Sequence, residues 1–214
     1  MPSSQDAETI EAFCTYHPLA IPVLRRLGLL EGAPTRSLDE SCREHALDAQ
    51  AVRRTVTGEE ETLTAGWRGR PVSELLDHIL RTYHRPFARE LAAVEASLAA
   101  ASAATHAEQW GELGQALGDL RSDMELHMTM EEHVLFPWLR DPASTASAPI
   151  RAMELEHADT INLLLALPLP VSQEPESAAL ALRLRDLERW LCEHLHFESN
   201  ELIPRALQLP ISRG

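Results

Sequence analysis

Cysteine is sparse in this chain, glycine and aromatic residues are few, basic residues are outnumbered, and no long apolar run occurs. Each shortage excludes something. The three cysteines (Cys14, Cys42 and Cys192) are an odd number, widely spaced, with no Cys-x2-Cys pair. That argues against a disulfide framework and fits a reducing cytoplasm. The 19 basic residues against 33 acidic ones leave a net charge of −14. Nucleic-acid binding needs clustered cations that displace phosphate counterions, so nucleic acid is not expected as a partner. The same balance disfavours an anionic membrane surface. The longest apolar run, around Leu163 to Leu167, is far short of a membrane span. No basic stretch followed by an apolar core marks a leader at the N-terminus. The expected setting is cytoplasmic, with no membrane partner.

Only 9 glycines are present, and β-branched runs are rare. What remains is dominated by Ala, Leu, Glu and Arg, the residues that lose least on entering a helix. The expected fold is therefore all-α. Residues 1–62 read as a small helical N-terminal domain. There HPLAIPVLRRLGLL has apolar residues at helical spacing, broken by Gly28 and Gly32, and Ser37 to Val56 reads as two further short helices. TLTAGWRGRPVSE reads as a linker that ends in a helix start, capped by Ser73 or with Pro71 in its first turn. Four long helical patterns follow, at about 72–101, 110–138, 150–166 and 176–203. Pro86 lies inside the first and is expected to kink it; Pro137 and Pro204 are expected to stop the second and fourth. DPASTASAP and LPLPVSQEP read as loops. Four such helices on short connections imply an up-down-up-down four-helix bundle over residues 67–207.

Within this pattern one motif occurs twice. His127-x3-Glu131-x3-Leu135-Phe136-Pro137 recurs as His194-x3-Glu198-x3-Leu202-Ile203-Pro204. Each copy ends a long helix, and each helix before it carries its own histidine, His84 and His157. Residues four apart share a helix face. The leucine that continues the stripe makes it the buried face. A histidine and a glutamate facing a core are costly unless something neutralises them, and two facing carboxylates repel each other. Bound metal removes both problems. Imidazole with carboxylate suits Fe, Mn or Zn, and two carboxylates can bridge a dinuclear centre. The plainer alternative is a metal-free core with buried His–Glu hydrogen bonds. Among other groups, His133 is expected to face solvent, and His78, His196 and Glu132 to turn off the ligand face. Glu156 and Asp123 are candidates to support a ligand from behind. Cys14-x2-His17 and Cys42-x2-His45 would close a tetrahedral zinc site if the two segments met. Cys192 is expected to pack in the core.

LLDHILRTYH, HMTMEEHVLFP, MELEH and HLHFESNELIPRAL together resemble the hemerythrin-like di-iron domain of the Repair of Iron Centers family, over about residues 67–207. The resemblance extends more loosely to the N-terminal residues. It implies a four-helix bundle with metal ligands at His84, His127, His157 and His194 and bridging carboxylates at Glu131 and Glu198. It also implies two iron ions per chain with an oxo or hydroxo bridge. The implied role is restoring iron–sulfur clusters damaged by nitric oxide or peroxide. Partners would be a small diatomic ligand (nitric oxide or dioxygen) and damaged iron–sulfur proteins. Six protein ligands for two ions leave positions open for such a ligand. Two carboxylates are fewer than in the oxygen-activating bundles of ferritin type, which argues against hydrocarbon oxidation. Turnover, or non-catalytic sensing or carriage of dioxygen, nitric oxide or iron, both stay open. One departure stands out: the family's N-terminal domain carries an adjacent Cys-Cys where this chain reads LLEGAP.

Overall fold

Side chains that accept orphan backbone N–H groups mark the first helix starts. In the computed structural model, which describes residues 8–30, 35–105, 109–140, 150–170 and 174–208, Thr9 caps α1 (Ile10–Tyr16), Ser37 caps α3 (Leu38–Glu44) and Asp48 caps α4 (Ala49–Thr64). α2 (Ala20–Arg26) ends at Gly28, whose φ of 72° suits a residue without a side chain. The Leu29 N–H then bonds the Leu24 carbonyl at 3.0 Å and closes the turn. Gly32, most of the LLEGAP segment, the DPASTASAP loop and part of LPLPVSQEP lie outside the described residues.

Four long helices follow: α5 (72–105), α6 (109–140), α7 (Ile150–Ala166) and α8 (175–207). α5 lies against α8, and α6 against α7. The start of α5 meets the end of α6 at Leu75 and Leu139, and the start of α7 meets the end of α8 at Met153 and Leu202, so successive helices run in opposite directions. His84, His127, His157 and His194 meet at one level between these ends. The fold is the expected all-α bundle. No helix among the described residues is long and apolar enough to cross a membrane.

The helix ends differ from expectation at the prolines. An internal proline removes a backbone hydrogen bond and strikes the carbonyl four residues back, at a cost of about 3 kcal/mol. Yet α5 runs through Pro86, α6 passes Pro137 to reach Arg140, and α8 passes Pro204 to reach Leu207. In each case the turn before the proline is a wider, π-helical one: Leu80–His84, Glu131–Leu135 and Glu198–Leu202. The N–H just ahead of each proline reaches back five residues, from Arg85 to Leu80, Phe136 to Glu131 and Ile203 to Glu198. The Thr82 carbonyl, which Pro86 cannot bond, accepts the Trp190 indole N–H at 3.2 Å. Such widened turns occur frequently at functional sites. Here each contains one of the six singled-out residues.

The N-terminal helices pack onto the bundle. Ile10, Phe13, Leu19 and Leu24 share one apolar cluster with Leu164, Leu184, Leu191 and Leu195. A buried ion pair pins the junction. Arg25 Nε donates to Glu188 Oε1 at 2.6 Å, and its Nη2 donates to the Leu164 carbonyl at 2.8 Å, near the end of α7. A second apolar cluster, with Leu75, Tyr83, Phe136, Met153, Phe197 and Leu202, fills the opposite end of the bundle. The six singled-out residues lie between the two.

Candidate metal centre

The motif's four-residue spacing puts His127 with Glu131 and His194 with Glu198 on the inner faces of α6 and α8. All six side chains are buried, and Glu131 is 0% exposed. They converge. His84 Nε2 lies 3.1 Å from Glu131 Oε2 and 3.2 Å from His194 Nε2. His127 Nε2 and His157 Nε2 each lie 3.2 Å from Glu198 Oε2. His194 Nε2 contacts Glu198 Oε1. Glu131 Oε2 is 3.5 Å from His127 Nε2 and 3.9 Å from His194 Nε2.

Two overlapping groups result. His84, Glu131, His194 and Glu198 place one donor atom each within 4.8 Å of one another, and so do His127, His157 and Glu198. The histidines thus pair between packed neighbours, α5 with α8 and α6 with α7, rather than within each hairpin. Glu198 belongs to both groups. The surroundings differ too. Tyr83 stacks on His194 and Phe136 on His84, with ring centroids 5.1 and 5.4 Å apart. The other pair has polar support: Glu156 Oε2 stands 3.5 Å from His127 Nδ1, and Ser199 Oγ 2.9 Å from His157 Nδ1.

Several of these fully buried atoms form no well-aligned hydrogen bond in spite of the close approaches given above: both Glu131 oxygens, Glu198 Oε1 and His157 Nε2. A buried polar atom left unpaired costs on the order of 1–3 kcal/mol, and more if charged. Inward-aimed oxygens and imidazole nitrogens of this kind fit a cation. Electrostatics within the cluster point the same way. Burial, then the Glu198 charge, push the Glu131 carboxyl up to about 7. Burial also opposes a charge on Glu198, but His194, His127 and His157 outweigh it and hold that carboxyl well below its usual range. Burial depresses His84, yet contact with Glu131 and Glu198 overrides it and lifts the ring to about 10. His127 is likewise raised, against burial, by Glu131, Glu156 and Glu198. His194 is pushed down to about 4, chiefly by burial. The shifts favour a proton on His84, on His127 and on Glu131, positions where the charge of a cation would serve instead.

Other sequence expectations divide. His133 faces solvent, and Cys192 is buried in the core. Asp123 supports none of the six through a hydrogen bond; its Oδ2 accepts from Thr160 Oγ1 at 2.5 Å. The zinc arrangement does not form. His17 pairs with Glu60 at 3.0 Å and His45 with its own helix's Ser41 carbonyl at 2.9 Å. No metal-capable group among the described residues includes Cys14 or Cys42. Glu132 turns off the ligand face as expected and is exposed, yet its Oε1 accepts from the outer nitrogen of a neighbouring helix's ring, His84 Nδ1, at 2.8 Å. Periodicity alone carries no signal for it, nor for Ser199. Partners of this kind fix a ligand's tautomer and ring orientation, and their loss typically weakens metal affinity 10–100-fold. Glu132→Ala is therefore expected to weaken metal binding by roughly ten-fold with little change in helix content; competition with a chromophoric chelator measures it.

Residues 75–206 match the hemerythrin HHE cation binding domain. The chain is also similar to iron–sulfur cluster repair proteins named YtfE. It is 30% identical to that of Citrobacter koseri over 183 residues, covering 80% of this chain and 83% of the relative. It is 31% identical to that of Cronobacter sakazakii over 189 residues, covering 84% and 82%. With that of an Escherichia coli strain it shares 32% over 158 residues, covering 69% and 72%.

Proposed function

Because the chain belongs to the hemerythrin HHE cation-binding family and its Repair of Iron Centers group, we propose that it is a non-haem di-iron protein of the nitrosative and oxidative stress response. In this reading it works in cytoplasmic repair of iron–sulfur clusters or in handling nitric oxide. His84 and His194 hold one iron, His127 and His157 the other. Glu131 and Glu198 are shared, and an oxo or hydroxo bridge joins the ions. The observation that carries the reading is the convergence of four buried imidazoles and two buried carboxylates, whose Glu131 oxygens, Glu198 Oε1 and His157 Nε2 form no well-aligned hydrogen bond.

Bound iron would supply open coordination positions and one-electron redox capacity. The chain's own groups do the rest. Four imidazoles and two carboxylates orient the ions, and Glu132 and Glu156 stand behind His84 and His127. Tyr83 and Phe136 shield one side from water. Damaged iron–sulfur proteins and a diatomic ligand are the partners this role requires. The missing Cys-Cys favours a second reading, a carrier or sensor of nitric oxide, dioxygen or iron without turnover. Headspace nitrous oxide after anaerobic nitric oxide exposure under reductant marks turnover; uptake without nitrous oxide marks the carrier.

Metal analysis tests the centre itself. Protein grown with iron should carry about two iron ions per chain with a near-ultraviolet oxo-bridge band. The two donor groups are unequal, four members against three. His157→Ala is thus expected to keep about one ion, at the His84–His194 side. Full occupancy in that variant, or no iron in the unaltered protein, would overturn the assignment.

A further inference from the structure

Reducing nitric oxide at the centre would consume electrons, and the chain holds no thiol placed to supply them. Cys14, Cys42 and Cys192 are all buried, and burial raises the Cys14 and Cys192 thiols away from the reactive thiolate. Electrons would have to come from outside, through the wall of the bundle.

The two halves of the bundle build that wall differently. The residue just ahead of the ligand histidine is Tyr83 on α5 but Glu156 on α7. The residue four ahead of the motif histidine is Trp190 on α8 but Asp123 on α6. One half thus has two aromatic rings where the other has two carboxylates.

The rings touch in series. Tyr83 is buried and lies nearly parallel to the His194 ring, with 15° between the planes and centroids 5.1 Å apart. The Trp190 ring follows at 5.6 Å from Tyr83. Both spacings are those of aromatic rings in contact. The Trp190 indole is anchored by its N–H on the Thr82 carbonyl. Trp190 is partly exposed and, beside Val94, Asp186 and Leu187, lines a surface groove of about 270 Å³. Two ring contacts therefore join a ligand to the surface. Trp67 is reached as well, but through one more ring, His78, and the Arg70 guanidinium lies over it at 4.8 Å. Contacting π-systems pass an electron more readily than saturated side chains do.

We propose that Trp190 and Tyr83 carry single electrons from a donor at this groove to His194, which makes Trp190 the point of electron entry. This rests on the cluster being a metal centre. No bond is made or broken: the donor loses one electron, and one ferric ion becomes ferrous.

The test uses the full iron-loaded chain, with a ruthenium polypyridyl complex attached to one introduced thiol as the donor. The buried native cysteines escape the label. Asp186→Cys puts it in the groove, eight residues ahead of His194. Asp119→Cys puts it at the matching exposed place on α6, eight residues ahead of His127. After a flash the excited complex gives up an electron, and bleaching of the ferric near-ultraviolet band times its arrival. Injection should be several-fold faster from the Asp186→Cys label than from the Asp119→Cys label. Trp190→Leu should slow the first several-fold and leave the second unchanged. Trp190→Phe lacks the indole N–H, as leucine does, but keeps a ring, and should recover much of the loss. Equal rates from the two labels, or an equal slowing by Trp190→Leu and Trp190→Phe, would overturn the proposal. So would a slowing from both labels alike, which would leave Trp190 a structural support only. An unaltered chain without iron would instead sink the metal-centre reading itself.

Discussion

Glu131→Gln should strip the bundle of metal while leaving the metal-free protein at least as stable. Both Glu131 oxygens are buried without a hydrogen bond, within reach of His84, His127 and His194. An amide cannot bridge cations as a carboxylate does. Affinity should fall further than the 10–100-fold expected for a group behind the ligands. Stability should move the other way. Burial and the nearby Glu198 raise this carboxyl from 4.5 to about 7 in the folded chain. A raised carboxyl is stable protonated, so its charged form costs folding energy as pH climbs above its unfolded value, increasingly up to about 7. Removing the charge should therefore raise metal-free stability at pH 7.5 by on the order of 1–3 kcal/mol. Denaturant melts of both proteins after chelation read this, and metal analysis reads the loss. An unaltered protein that carries no metal, with a Glu131→Gln variant that loses stability, would point to the alternative, a metal-free core of buried His–Glu pairs.

Arg25→Ala should produce the largest loss of stability of any single change at the junction. Glu188 is 1% exposed, and Arg25 is the cation that hydrogen-bonds it. Burial already raises the Glu188 carboxyl, with Arg25 the main force opposing that. Truncating Arg25 leaves a buried charge alone and also frees the Leu164 carbonyl it holds. Breaking a buried pair from one side costs about 3–5 kcal/mol. For a chain of this size that is a drop in melting temperature of about 6–20 °C. Replacing both partners, Arg25→Met with Glu188→Leu, should recover most of it, because no charge is then stranded. A single Arg25→Ala change within measurement error of the unaltered protein would show that water reaches the pair freely.

The helical bundle and the convergence of six side chains were legible because both rest on a short period. A His-x3-Glu-x3-Leu stripe written twice fixes a face on two helices, and antiparallel packing brings the faces to one level. The helix ends at Pro137 and Pro204 were not legible. A proline's local cost predicts a stop, but a widened turn ahead of it absorbs the clash. Glu132 turns off the ligand face as its spacing predicts, but its bond to His84 joins two different helices, which spacing within one helix cannot show. His196 turns from the ligands as its spacing predicts, but Glu60, 3.5 Å from it, lies far away in sequence. Contacts between the N-terminal helices and α8 leave no periodic trace. Cys14 and Cys42 show the opposite failure, a suggestive spacing with no meeting in space.

The widened turns also bear on how the chain tolerates a change of length. Each amounts to an additional residue worked into an otherwise ordinary helix. Deleting one residue between 132 and 135 would let the helix return to regular winding with the later side chains close to their present phase, because the slower winding of the widened turn offsets the residue it adds. Phe136 and Leu139 would keep their faces, and the change would fall on the residues inside the turn. In these three places a shortened gene would damage the turn itself rather than the helix beyond it.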